Sequence, residues 1–185
     1  VPFHPRKLSD SINSAFPENF VVSPNGRLNF SKDDTRLYFG TAIAPRVQDT
    51  LQLKSERAGV QIWSGNEPVQ YTVQDFNKDR EARKTYEAVC WLSDGRILQL
   101  ADSTYNATTS RNGNGRYALL SNSKPYSNSS MWEGRTRSDY AIMDMTTGEV
   151  KQLLKGDYTR YQVSPTGKYA YAYAETDSFW RSIDL

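Results

Sequence analysis

The sequence predicts an all-β fold, a partial β-propeller of about three to four four-stranded antiparallel blades with long inserted loops. Three observations point there. First, four stretches share one turn grammar: Val22-Ser23-Pro24-Asn25-Gly26, Phe30-Ser31-Lys32-Asp33-Asp34, Leu92-Ser93-Asp94-Gly95 and Val163-Ser164-Pro165-Thr166-Gly167. Each follows an apolar residue and leads through a polar or basic one into an apolar or aromatic run, as in Arg36-Leu37-Tyr38-Phe39 and Arg96-Ile97-Leu98. Pro presets φ in such a turn, and Gly takes the left-handed backbone that other residues avoid. A blade needs a turn of this kind between its first two strands. Second, the chain holds 12 Tyr, a residue suited to half-buried strands. Third, Tyr169-Ala170-Tyr171-Ala172-Tyr173-Ala174 alternates strictly. One face is then all Tyr and the other all Ala, and the small Ala face allows a neighbouring sheet to approach closely.

The elements follow in order. Residues 1–20 mix Pro, Ser, Asn and Phe without periodicity and read as an N-terminal arm that packs through Phe16 and Phe20. Residues 21–185 are the propeller segment. Arg36 to Ala42 is a strand, residues 44–58 are a long polar loop, and Val60-Gln61-Ile62-Trp63 is a short strand ended by Gly65-Asn66-Glu67-Pro68. Residues 74–85 are the helix candidate, capped by Asp75 and anchored by Phe76, with a solvated loop as the alternative. Tyr86–Trp91 and Arg96–Ala101 form a hairpin around Ser93-Asp94-Gly95. Residues 102–115 are loop, Arg116–Ser121 is a strand, and 122–138 is a long connection. Tyr140–Met145 and Val150–Leu154 form a second hairpin through Thr146-Thr147-Gly148-Glu149.

Repeat spacing is irregular. Ser31 to Ser93 spans 62 residues and Ser93 to Ser164 spans 71, against roughly 40–45 for a plain blade. The surplus matches the loops at 44–58, 66–85 and 122–138. Closed rings take about four to eight blades, so an incomplete ring is expected. Its open blade edges favour self-association.

Composition excludes several classes. Apolar residues make up 37% of the 185 residues, which is low, and 4 Trp and 12 Tyr compensate through their large buried areas. Formal charge is +2 with signs interspersed, so no basic stripe marks a nucleic-acid partner. No apolar run approaches the roughly 20 residues of a membrane span. Cys90 is the sole cysteine, which leaves no internal disulfide and no cysteine-rich metal site. The start at Val1, without a signal-like segment, reads as a processed or trimmed chain.

Asp144-Met145-Thr146-Thr147-Gly148-Glu149 followed by Ser164-Pro165-Thr166-Gly167-Lys168 resembles the repeat grammar of TolB-type propellers. Asn29-Phe30-Ser31-Lys32-Asp33, Leu37–Ala42, Val60–Trp63 and Ser130-Met131-Trp132-Glu133-Gly134-Arg135-Thr136 are similar to the N-terminal propeller of bacterial serine peptidases of the prolyl oligopeptidase family. That resemblance covers most of residues 20–185. It implies a non-catalytic ring that gates peptide substrates for a C-terminal α/β-hydrolase domain, in an exported or periplasmic protein. The chain departs from the family by ending before any Gly-x-Ser-x-Gly nucleophile elbow, so no catalytic residue carries over. No cofactor and no metal are expected. The alternative is a TolB-type scaffold that binds partner proteins in the cell envelope without a hydrolase.

Candidate residues divide along the same lines. His4, the lone histidine, sits in the Pro-flanked arm and reads as an ordinary surface residue. Cys90 reads as a small buried hydrophobe. Asp33, Asp34, Asp75 and Asp79 lack a calcium-loop spacing and read as turn caps. Asn112-Gly113-Asn114-Gly115 is not followed by Gly-Lys-Ser/Thr and reads as a flexible hairpin turn. Glu67, Glu87, Glu133 and Glu175 are the carboxylates available to a propeller-based enzyme, but their spacing selects no pair. Tyr126, Trp132, Glu133 and Arg135 are the candidate peptide or interdomain contacts, since Trp, Tyr and Arg are interface-prone. The blander reading of the same segment is a packing motif, with Trp132 filling a gap and Glu133 paired to Arg135 or Arg137.

Overall fold

The computed structural model describes residues 16–44, 64, 67–175 and 177–185. His4, most of the arm, most of the 44–58 loop and the Val60–Trp63 strand lie outside them. The described residues form three antiparallel sheets in chain order, a partial β-propeller. The first blade comprises β1 (Phe20–Val22), β2 (Asn29–Phe30), β3 (Arg36–Ile43), β4 (Tyr86–Trp91) and β5 (Ile97–Gln99). The second comprises β6 (Asn106–Thr108), β7 (Tyr117–Asn122), β8 (Ser138–Asp144) and β9 (Val150–Asp157). The third holds β10 (Gln162–Val163), β11 (Tyr169–Ala174) and β12 (Phe179–Asp184).

Three backbone hydrogen bonds fix the equivalence of the blades. Leu92 N–H donates to the Thr35 carbonyl, Met145 N–H to that of Arg116, and Leu185 N–H to that of Lys168, each at 2.9 Å. Arg36, Tyr117 and Tyr169 are therefore equivalent, as are Tyr38, Leu119 and Tyr171. Strand pairing agrees: Arg36 faces Trp91, Tyr117 faces Asp144, and Tyr169 faces Asp184.

This equivalence corrects the repeat. The turns between first and second strands begin at Ser31, Ser110 and Ser164. The Ser93-Asp94-Gly95 block instead joins the third and fourth strands, as Asp144–Gly148 does in the second blade. Both of those turns close through a glycine at φ 75° and 79°, whose N–H reaches the carbonyl of Trp91 (2.8 Å) or Asp144 (2.7 Å). Residues 102–115, expected to be all loop, contain β6, because three residues of edge strand are too few to show a period.

The Ser23-Pro24-Asn25-Gly26 block is not a hairpin turn either. β1 and β2 both pair with β3, at Thr41–Ile43 and Leu37–Tyr38 respectively. They form one edge strand interrupted by the Ser-Pro-Asn-Gly excursion. Gly26 lets the excursion fold flat onto the sheet: a Cβ there would lie 2.4 Å from the Cα of Gly40.

Packing runs from blade to blade. Phe16 and Phe20 bury against Phe39, Tyr86, Ala88 and Cys90 on the outer face of the first blade. Tyr38 and Val89 on its other face meet Ala118, Met143 and Met145 of the second. Leu119 and Tyr140 of the second blade meet Ala170, Ala172 and Val163 of the third. The alternating Ala face is buried as its pattern requires, with Ala170 and Ala174 fully enclosed. Each large side chain so buried removes about 1.5–3 kcal/mol worth of apolar surface from water.

The long insertions join second and third strands. The first blade carries the helix α1 (Tyr71–Ala82) and the second a 3₁₀ turn (Lys124–Tyr126) running into α2 (Ser127–Glu133). α1 begins ahead of the expected Asp75 cap. Gln70 is its N-cap residue, Asp75 pairs with Lys78 at 3.0 Å, and Phe76 is 88% exposed and anchors nothing. In the third blade the equivalent connection between β11 and β12 is short, and the Asp177 and Ser178 N–H groups turn back to the Ala174 carbonyl. All these connections lie at the end of the blades opposite the Ser31, Ser110 and Ser164 turns.

Candidate functional site

A cleft of about 500 Å³ opens at the insertion end, where the second blade meets the third. Gly134, Arg135 and Thr136 supply one wall, just beyond α2. The connector residues Tyr158, Thr159 and Arg160 supply the next. Tyr171, Tyr173 and Trp180 supply an aromatic wall, and Glu175 and Gln162 also belong to the lining. That wall follows from strand pairing: Tyr173 is directly opposite Trp180, and their rings meet edge-on at 5.5 Å. Tyr171 adds a second contact to Trp180 at 6.4 Å and donates its hydroxyl to Gln162 Oε1 at 3.2 Å.

The segment from Tyr126 to Arg137 is held by its own polar network. Tyr126 donates to Asp139 Oδ1 at 2.6 Å, and the same oxygen accepts the Gly156 N–H at 2.9 Å. Glu133 pairs with Arg137 and accepts the Tyr158 hydroxyl at 2.9 Å. Arg137 also lies over the Tyr158 ring, 5.2 Å from its centre. The Arg137 guanidinium and then the Tyr158 hydroxyl hold the Glu133 carboxyl below its ordinary range, which favours its charged form. Gly134 ends α2 in the left-handed conformation at φ 64°, and the bend directs the following residues to the cleft.

The four candidate contacts therefore separate. Arg135 lines the cleft. Tyr126 and Glu133 stand behind it and brace the wall. The expectation that Trp132 fills a gap is overturned: it is 90% exposed on α2, beside Met131 at 57%. Glu133 is paired to Arg137, the second of its two expected partners.

Of the remaining carboxylates, Glu175 lines the cleft. Glu87 lies in β4 opposite Gly40, where burial raises its pKa. Asp33 caps its turn as expected, accepting from Ser31 Oγ (2.6 Å), Thr35 Oγ1 (2.8 Å) and the Thr35 N–H (3.2 Å). The Asn112–Gly115 segment is a hairpin turn, but a clamped one. Tyr38 reaches the Gly113 carbonyl at 2.7 Å and Arg36 that of Gly115 at 2.6 Å. Among the described residues no group of three or more His, Cys, Asp or Glu is placed to hold a metal ion, and no helix is long and apolar enough to cross a membrane.

Sequence reasoning missed Arg160, Tyr173 and Trp180. The tyrosine alternation did mark one face of β11. Nothing in the local sequence paired that face with Trp180, because the β11–β12 register is a tertiary fact.

No protein-family model matches the chain, and no curated protein matches it. Among solved structures it is similar to TolB from Acinetobacter baumannii, at 12% identity and a TM-score of 0.37, over 90% of this chain and 32% of that one. So loose an overlay carries no functional argument.

Proposed function

We propose that the chain is a non-catalytic β-propeller module that binds extended peptide in the cleft between its second and third blades. The lining of that cleft carries the reading. Rings of Tyr158, Tyr171, Tyr173 and Trp180 share it with Arg135, Arg160 and Glu175, a mixture of flat apolar surface and a few polar groups that suits peptide recognition. The insertion loops shape it while paired strands hold it rigid.

In a protein of the prolyl oligopeptidase type, which the sequence motifs resemble, this end of the ring would select peptides for a C-terminal α/β-hydrolase domain. An exported location belongs to that same reading. A second reading, a propeller scaffold for partner proteins in the cell envelope, is favoured by Trp132 and Phe76. Both are almost fully exposed on insertion helices at the same end.

Isothermal titration with unstructured peptides tests the proposal. Saturable binding is expected, weakened by Y173A and W180A. Failure of every peptide to bind, or binding indifferent to both substitutions, would overturn it. A peptidase assay with an active-site serine probe should show no turnover by this chain.

A further inference from the structure

We infer that the cleft selects peptides carrying a carboxylate beside an aromatic side chain, with Arg135 and Arg160 as the anion-binding pair. This rests on the peptide-binding reading above and adds the chemical class of the ligand.

The argument is one of committed and uncommitted charge. Four carboxylates around the cleft already have partners. Glu133 holds Arg137 and Tyr158. Asp139 holds Tyr126 and the Gly156 N–H. Asp157 accepts the Thr159 N–H at 2.8 Å and the Tyr161 hydroxyl at 3.3 Å, with Arg181 at 3.8 Å. Asp177 pairs with Arg181. Three arginines elsewhere in the blades are engaged: Arg36 and Arg96 bind carbonyls of the adjacent blade, and Arg116 binds Asp144.

Arg135 and Arg160 differ. Both line the cleft, and neither has an ion-pair partner among the described residues. Among the described residues Glu175 is the one carboxylate in the lining, so those residues leave the cleft an excess of positive charge. A guanidinium binds a carboxylate through two parallel N–H donors, and charge assistance makes such bonds about twice as strong as neutral ones. The Tyr173–Trp180 wall adjoining this charge offers a face and an edge to an aromatic ring. A peptide with an acidic and an aromatic residue side by side satisfies both features at once.

The test is calorimetric titration of the intact chain with N-acetylated, C-amidated hexapeptides bearing a central Asp-Tyr, Asn-Tyr or Asp-Ala. Asp-Tyr should bind about tenfold tighter than Asn-Tyr and should weaken as salt rises. R135Q and R160Q should each cut the ratio of Asp-Tyr to Asn-Tyr affinity several-fold, and an unchanged ratio in both would overturn the acidic preference. E175Q should strengthen Asp-Tyr binding, and its melting temperature and those of the arginine variants should match the parent. Equal affinity for Asp-Tyr and Asn-Tyr would overturn the acidic preference while leaving peptide binding intact. Loss of all binding to all three peptides would overturn both.

Discussion

Tyr38 of the first blade donates its hydroxyl to the carbonyl of Gly113 in the second, at 2.7 Å. The bond crosses the blade junction inside a wall that includes Val89, Ala118 and Met145. Tyr38 is 4% exposed, so no water stands ready to replace it. Arg36 Nη1 reaches the same carbonyl at only 3.4 Å, a weak substitute. Y38F should therefore cost about 1 kcal/mol, and Y38A, which also leaves a cavity, about 3–5 kcal/mol. Urea denaturation midpoints measure both. A Y38F midpoint equal to that of the parent would show that the junction does not depend on this bond.

Gly115 and Gly167 provide the matching contact between second and third blades. A Cβ on Gly167 would lie 2.6 Å from the Cα of Gly115, and Gly167 has φ 73°. G167A should lose roughly 2–4 kcal/mol from backbone strain and overpacking together. G134A is the control. Gly134 has a similar φ of 64° but open space at its Cβ position, so it should lose only the strain, about 1–2 kcal/mol. Thermal melts that place the two variants together would remove the blade-contact argument.

These glycines also show what the sequence could reveal. Ser164-Pro165-Thr166-Gly167 announced a turn, and the turn is there, because Pro and Gly chemistry is local. The strict Tyr/Ala alternation announced a buried small face, and Ala170, Ala172 and Ala174 are buried. Which strands each turn joins was not legible. Ser23–Gly26 has the same grammar as Ser164–Gly167, yet it interrupts an edge strand, because β3 is long enough to pair with both flanking pieces. The cleft was half legible. Arg135 was identified from its loop, whereas Arg160 and Trp180 reach the site through blade packing. Trp132, marked by its interface-prone residue type, is 90% exposed on α2 and is not among the residues lining the cleft.

Two carboxylates should give opposite pH dependences. Asp144 is held down to about 2, chiefly by the Arg116 guanidinium at 2.6 Å and also by the Thr146 N–H. A depressed folded-state value means that stability is present above the unfolded value of 3.8 and is lost as pH falls toward about 2. The parent should therefore exceed D144N in melting temperature at neutral pH and converge on it across that window. Glu87 is raised above its ordinary 4.5 by burial. Its charged form is penalised, so stability is lost as pH rises through its folded value. E87Q should be more stable than the parent at neutral pH and equal to it below 4.5. Parallel melting curves for either pair from pH 2 to 7 would contradict the assigned cause.

Self-association of this chain is expected to run through the outer edge of β12. In the first two blades the third strand is flanked on both sides, by β3 and β5 and by β7 and β9. Among the described residues β12 pairs with β11 alone, which leaves one row of its N–H and C=O groups along Phe179–Asp184 without a strand partner there. Such an edge is a template for strand addition unless charge or proline blocks it. Here Arg181 and Asp184 are the charged members of the strand, and Arg181 is already occupied by Asp177. Concentration-dependent association is the expected behaviour, read by sedimentation velocity. S182P removes a backbone donor and should shift the distribution toward monomer. A peptide spanning residues 149–157, the fourth strand of the second blade, should compete for the same edge. A monomer at every concentration would mean that the twist of β12 alone protects it. Association indifferent to both S182P and the peptide would place the contact elsewhere, with the exposed Phe76 and Trp132 of the insertion helices as the next surface to substitute.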